Sequence, residues 1–180
     1  MTEAFSTCVA ATLNGKNRAW KCPQCGTRDT ALAYRSGKMK LCRDCQRYHN
    51  LVTNAGKARK HGYSPAVQLS RTEFLDWARA GARCCHYCKI DEEKLVLLEQ
   101  KSSIGRTVEA LGIDRLDNAA DYSLDNIAWC CYACNKVKSN VFSEEEMLAI
   151  GVVIGRTWEA RLQALAEPFV SEPASAVLYV

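Results

Sequence analysis

Eleven cysteines in 180 residues constrain this chain more than any other feature. Eight of them form four Cys-x-x-Cys pairs: Cys22 with Cys25, Cys42 with Cys45, Cys85 with Cys88, and Cys131 with Cys134. A disulfide framework calls for an oxidising compartment and an even count. The start Met1-Thr2-Glu3-Ala4 lacks a basic region followed by an apolar run, so it does not read as a secretion signal. Runs such as Val152-Val153-Ile154 are far too short to span a bilayer. The chain therefore reads as intracellular and free of membrane contact, where thiols stay reduced. Metal ligation is then the stronger use for the pairs, with thiol–disulfide chemistry as the competing one.

Each Cys-x-x-Cys turn offers two thiolates from one tight knuckle, and two knuckles complete a tetrahedral zinc site. Cys22, Cys25, Cys42 and Cys45 make the first expected site, with 16 residues between the inner ligands. Cys85, Cys88, Cys131 and Cys134 make the second, with 42 residues between the knuckles that must fold back on themselves. Cys84 and Cys130 are adjacent alternatives, but only Cys85 and Cys131 keep the two-residue gap. Cys8 has no partner and reads as a plain thiol. Both zinc ions are expected to be structural.

Charge is unevenly spread. Residues 1–89 hold 16 Lys+Arg against 5 Asp+Glu, and residues 90–180 hold 8 against 15. The N-terminal excess suggests a basic surface for a polyanion. Apolar and charged fractions of 48% and 24% are those of a globular chain with a real core. A small hairpin is expected between the first two knuckles, and a helix from near Asp44 with Tyr48, Leu51 and Val52 on one side. Ser70 and Glu73 form a capping box for a helix that buries Phe74, Leu75, Trp77 and Ala78 and stops at Gly81. A short helix over 91–100 with Asp91 as N-cap follows, burying Leu95 and Leu98. Strands are expected over 108–116 and 126–130, and a helix over 133–138. A last helix starts at the Ser143/Glu146 capping box and runs to about Leu165.

The most informative stretch runs Gly112-Ile113-Asp114-Arg115, then Tyr122-Ser123-Leu124-Asp125-Asn126, then Cys131-Tyr132-Ala133-Cys134-Asn135. It resembles the HNH nuclease motif, a ββα-metal finger. The Cys-x-Tyr-Cys knuckle, Lys138-Ser139-Asn140 and the Phe142-Ser143-x-x-Glu146-Met147 segment are similar to restriction endonucleases of that family. The resemblance covers roughly residues 20–160. It implies an α+β fold: a small zinc-stapled protein with a ββα-metal (HNH) finger, two four-cysteine zinc sites and flanking helices. It also implies a site-specific endonuclease, of restriction or homing type, that hydrolyses double-stranded DNA as a homodimer with one Mg²⁺ or Mn²⁺. A non-cutting zinc DNA-binding regulator is the alternative.

By the same resemblance, Asp114 and Asn135 are the metal ligands and Asn126 braces the loop between the strands. Arg115 stands where the usual motif has its basic His. A guanidinium stays protonated and cannot take a proton from water, though it can clamp a phosphate. The base must come from elsewhere. Tyr87, the knuckle tyrosine, is the first candidate, since a neighbouring guanidinium or metal would lower its pKa. His86 is the second, titrating near neutrality. Arg43, Arg47, Lys57, Arg59, Lys60, Arg71, Lys136 and Lys138 are the expected DNA-binding side chains, with Arg79 and Arg83 beside them. The chain is expected to divide into an arm (1–20), a knuckle and basic helical region (21–83), a nuclease region closed by the second zinc (84–142), a C-terminal helix (143–167) and a loose tail (168–180).

Overall fold

The computed structural model describes residues 20–28, 41–60 and 65–166. Cys8, the hairpin expected between the first knuckles, and the C-terminal tail lie outside the described residues. The first helix, α1 (Arg43–Lys60), begins inside the second knuckle. It buries Asp44, Leu51 and Ala55, which recur on one face at helical spacing. Val52 was expected on that side but is 43% exposed, because it lies one residue, about 100°, around from Leu51.

Helix α2 (Arg71–Ala80) is capped by Ser70, whose hydroxyl accepts from the Glu73 amide while the Glu73 carboxylate accepts from the Ser70 amide. It buries Phe74, Leu75 and Ala78, with Trp77 half-buried, and ends at Gly81. Aromatic rings then lead across the core. Tyr48 on α1 meets Phe74 at 5.6 Å, Phe74 meets Trp77 at 5.7 Å, and Trp77 meets Trp129 at 4.8 Å.

Helix α3 is only one turn, Glu92–Leu95, shorter than the sequence suggested. Beyond it the amides of Leu97, Leu98 and Glu99 bond three residues back, and Glu99 takes a left-handed φ of 45° that ends the helix. The first strand, β1, is likewise shorter than expected, Gly112–Arg115. Residues 100–108 spend their backbone bonds locally, Ser102 amide to Arg106 carbonyl and Val108 amide to Gln100 carbonyl. The partner strand β2 (Ile127–Cys130) offers only four positions. The two pair antiparallel, with Asp114 opposite Ala128 and Arg115 opposite Ile127.

Alternation along these strands sorts their side chains. Ile113 and Arg115 share a face with Ile127 and Trp129, while Asp114 shares the other with Ala128 and Cys130. Cys131 caps helix α4 (Tyr132–Lys138) by accepting from the Cys134 amide through Sγ. Helix α5 (Glu144–Ala166) opens with Ser143 and Glu146 capping each other. It lies against the Cys85–Cys88 knuckle through two glycines. A Cβ on Gly151 would meet the Tyr87 backbone at 2.6 Å, and one on Gly155 the Cys88 carbonyl oxygen at 2.7 Å. Met147, Gly151 and Trp158 are its buried positions.

A buried ionic cluster joins the halves. Asp44 of α1 pairs with Arg47 at 3.0 Å and Arg83 at 2.8 Å, while Glu92 of α3 pairs with Arg47 and, at 3.5 Å, with Arg83. Both guanidiniums lie over the Trp129 ring, at 5.0 and 5.7 Å. The architecture is α+β: helices flanking a two-stranded antiparallel sheet, with a four-cysteine cluster on either side of the basic helices in sequence. No helix among the described residues is long and apolar enough to cross a membrane.

Candidate nuclease centre and metal clusters

The sulfurs of Cys22, Cys25, Cys42 and Cys45 all lie within 4.8 Å of one another, as do those of Cys85, Cys88, Cys131 and Cys134. Four sulfurs held at about 2.3 Å from one ion sit roughly 3.8 Å apart at the corners of a tetrahedron. The Cys25–Cys42 and Cys88–Cys131 separations, 3.6 and 3.7 Å, fit that edge. Amides aim at the sulfurs as well: Cys42 at Cys22, Cys45 at Cys42 and Cys131 at Cys85, at 3.3–3.4 Å. Such donors favour thiolate over thiol. Both clusters can therefore hold a tetrahedral metal ion. Cys130 is fully buried beside the second cluster, and Cys84 stands outside it.

Asp114 lies near the end of β1 with its side chain 11% exposed. Its Oδ2 accepts the Tyr87 hydroxyl at 2.6 Å and faces the Lys138 ammonium at 3.1 Å. The other oxygen, Oδ1, carries no hydrogen bond among the described residues. Tyr87 is 2% exposed. Burial, then the bond to Asp114, pushes its phenol well above the ordinary tyrosine range. The expected lowering by a guanidinium is absent from this arrangement, because Arg115 turns away. Arg115 donates to the Ala120 carbonyl at 2.8 Å and stacks over Tyr122 at 5.2 Å. His86 bonds Glu144, in the first turn of α5, through Nε2 at 2.8 Å.

Asn126 accepts from the Asp117 amide at 2.8 Å and donates to the carbonyls of Asp117 at 3.1 Å and Asp121 at 2.8 Å. It thereby ties both ends of the loop between the strands. Asn135 is exposed, one turn before Lys138 on α4, and its side chain has no partner among the described residues. An i, i+3 pair shares a helix face. The amide of Asn135 thus flanks the side of α4 whose Lys138 touches Asp114.

Two of the expected DNA contacts are corrected. Lys138 has 0% exposure, and its ammonium bonds the Arg115 carbonyl, Asn118 Oδ1 at 2.8 Å and Asp114. Arg47 is enclosed in the ionic cluster, its side chain 9% exposed, and Arg83 shares that cluster. Neither Lys138 nor Arg47 presents its charge to a phosphate. The sequence held a signal for each. Lys138 lies four residues after Cys134, a metal-type ligand that must face inward, and Arg47 four before the buried Leu51. Arg43 is half-buried, while Lys57, Arg71 and Lys136 are exposed, Arg71 over the Tyr48 ring and Lys136 over the Tyr132 ring. Arg79 donates to Cys25 Sγ at 3.5 Å. The side chains of Arg59 and Lys60 lie outside the described residues.

Two strands, a braced loop and a helix that starts on a metal-type cysteine build a ββα-metal finger around Asp114. The chain belongs to the HNH endonuclease family. Its structure superposes on that of the rare-cutting HNH restriction endonuclease PacI with a TM-score of 0.67 and 34% sequence identity, covering 78% of this chain and 96% of the PacI chain. Comparison with family models and with curated protein sequences gives no match.

Proposed function

We propose that this chain is a restriction-type endonuclease that hydrolyses double-stranded DNA at specific sites, with Asp114 and Asn135 holding one divalent cation and each four-cysteine cluster holding a structural zinc. The observation that carries the reading is the state of Asp114. Two donors fix its Oδ2 and leave Oδ1 free, near a strand end beside the helix that bears Asn135. A hard cation takes oxygen ligands of this kind and keeps positions open for water and substrate. When bound, Mg²⁺ or Mn²⁺ supplies charge stabilisation at the scissile phosphate and at the departing oxygen. The four-thiolate sets suit zinc rather than such a cation. Similarity to a restriction enzyme favours restriction over homing use.

Hydrolysis forms a bond from a water oxygen to phosphorus, breaks the bond to the 3′ oxygen, and moves one proton off the water. Tyr87 is the proton-handling group we assign, since its hydroxyl touches the carboxylate at the centre. Its pKa is raised in the free protein, so the phenol starts as a donor orienting Asp114 and would have to release that proton to solvent before its oxygen could take one from the attacking water. The His86–Glu144 bond supports a second reading, in which a carboxylate-braced imidazole takes the proton. Arg115 and Asn126 hold the loop that frames the centre.

The clean test is Asn135→Ala. The side chain is exposed and makes no bond among the described residues, so stability should move by no more than about 0.5 kcal/mol. Cleavage of mixed-sequence plasmid DNA with Mg²⁺ should fall more than about a hundredfold. Full activity in this variant would remove the assigned ligand. A wild-type protein that binds DNA and never cuts it would favour the regulator. Tyr87→Phe and His86→Asn, compared by single-turnover rate, separate the two bases, the true one losing about 10²–10⁴-fold.

A further inference from the structure

Lys138 is the feature that the nuclease reading leaves unused. It is a lysine with 0% exposure at the end of α4, and its ammonium lies 3.1 Å from Asp114 Oδ2. Its remaining bonds go to neutral oxygens, the Arg115 carbonyl and Asn118 Oδ1. Asp114 is thus its one ionic partner among the described residues. Asn135 brings no charge. The carboxylate and amide assigned to the cation, taken with the Lys138 ammonium that touches that carboxylate, therefore sum to no net charge, although a hard divalent ion draws much of its affinity from anionic oxygens.

We infer that Lys138 is a positioning residue that keeps the centre short of cation until DNA arrives, so that the phosphate of a bound strand supplies the missing anionic ligand and metal and DNA bind cooperatively. This rests on the assignment of Asp114 and Asn135 as cation ligands. Charge is the physical basis. An ammonium in contact with the ligand carboxylate, where water is largely excluded, opposes an incoming dication strongly. The same ammonium fixes Oδ2, so Oδ1 is presented in one orientation. Linkage then requires that the cation tighten DNA binding by the factor by which DNA tightens cation binding.

The test uses the full-length, zinc-loaded protein and Mn²⁺, with the unbound ion followed by its electron paramagnetic resonance signal. Titrations are made with and without a mixed-sequence DNA duplex, and the duplex alone is subtracted. Wild type should bind Mn²⁺ at least about tenfold more tightly with the duplex than without it. Lys138→Gln should bind Mn²⁺ at least about tenfold more tightly than wild type in the absence of DNA, and should depend less on the duplex. Equal wild-type affinity with and without DNA overturns the inference, as does a folded Lys138→Gln that binds no more tightly than wild type. Thermal melting and zinc content establish that the variant is folded. If it is not, the wild-type comparison alone decides. Asn135→Ala guards the premise: Mn²⁺ binding unchanged in that variant would mean that the cation site itself is misassigned, a different failure from loss of cooperativity.

Discussion

At the scale of single residues, neighbours decide what each charged group does. Asp114 and Lys138 were both legible as polar residues of a nuclease motif, yet the motif alone gives the lysine the wrong task. It looks like a phosphate contact until Cys134 fixes which face of α4 turns inward. Tyr87 illustrates a second limit. Its place in the knuckle is plain from the spacing of Cys85 and Cys88, but its direction as donor to Asp114 depends on β1 and the knuckle meeting across 27 positions of chain. Asn126 belongs here too. Asn126→Ala removes three hydrogen bonds and leaves the Asp117 amide without its acceptor. A loss of about 2 kcal/mol is expected in denaturant unfolding, since a stranded donor adds its own desolvation cost. A loss under about 0.5 kcal/mol would mean that the loop is held by other means.

At the scale of elements, capping and helical spacing were the most legible signals. Ser70 with Glu73 and Ser143 with Glu146 place two helix starts where the structure has them. Strand and short-helix lengths were not legible, because they depend on which backbone groups find partners. Residues 100–108 find theirs locally, so β1 starts only at Gly112. The glycines of α5 carry information that apolar periodicity misses. Ile150, Val153, Ile154 and Trp158 read in the sequence as a stripe for a dimer seam or for core packing, but Val153 is exposed and the approach to the knuckle is set by Gly151 and Gly155. Gly151→Ala would drive a methyl into the Tyr87 backbone, which cannot swing aside as a side-chain tip could. We expect a destabilisation of about 1–3 kcal/mol, read by thermal or denaturant melting. Ala at the solvent-facing Gly81 has open space. Melting of Gly151→Ala unchanged from wild type would show that α5 sits further from the knuckle.

At the scale of the molecule, two forces act on different parts. The DNA attraction in the proposed function would fall to the basic N-terminal half, where Lys57 and Arg71 stay exposed. Affinity should fall linearly with salt on a double-logarithmic plot, and Lys57→Ala should make that slope shallower by about one if this lysine meets a phosphate. An unchanged slope would place the duplex elsewhere. The family resemblance implies a homodimer on a two-fold site, and Leu148, Val152 and Val153 of α5 are exposed apolar residues that such a seam could use. Sedimentation of the purified protein reads this directly. Cohesion between the halves comes from Asp44, Arg47, Arg83 and Glu92 around Trp129. Two acids and two arginines spread along the chain from Asp44 to Glu92 gave no warning of it in the sequence. The finger, by contrast, is strung between Cys88 and Cys131, both anchored at one point in space. Its ends cannot drift, so the chain in between has slack to spare: a few residues spliced into the exposed turn around Ile104 should cost only the modest entropy of a longer tether and leave Asp114 where it stands.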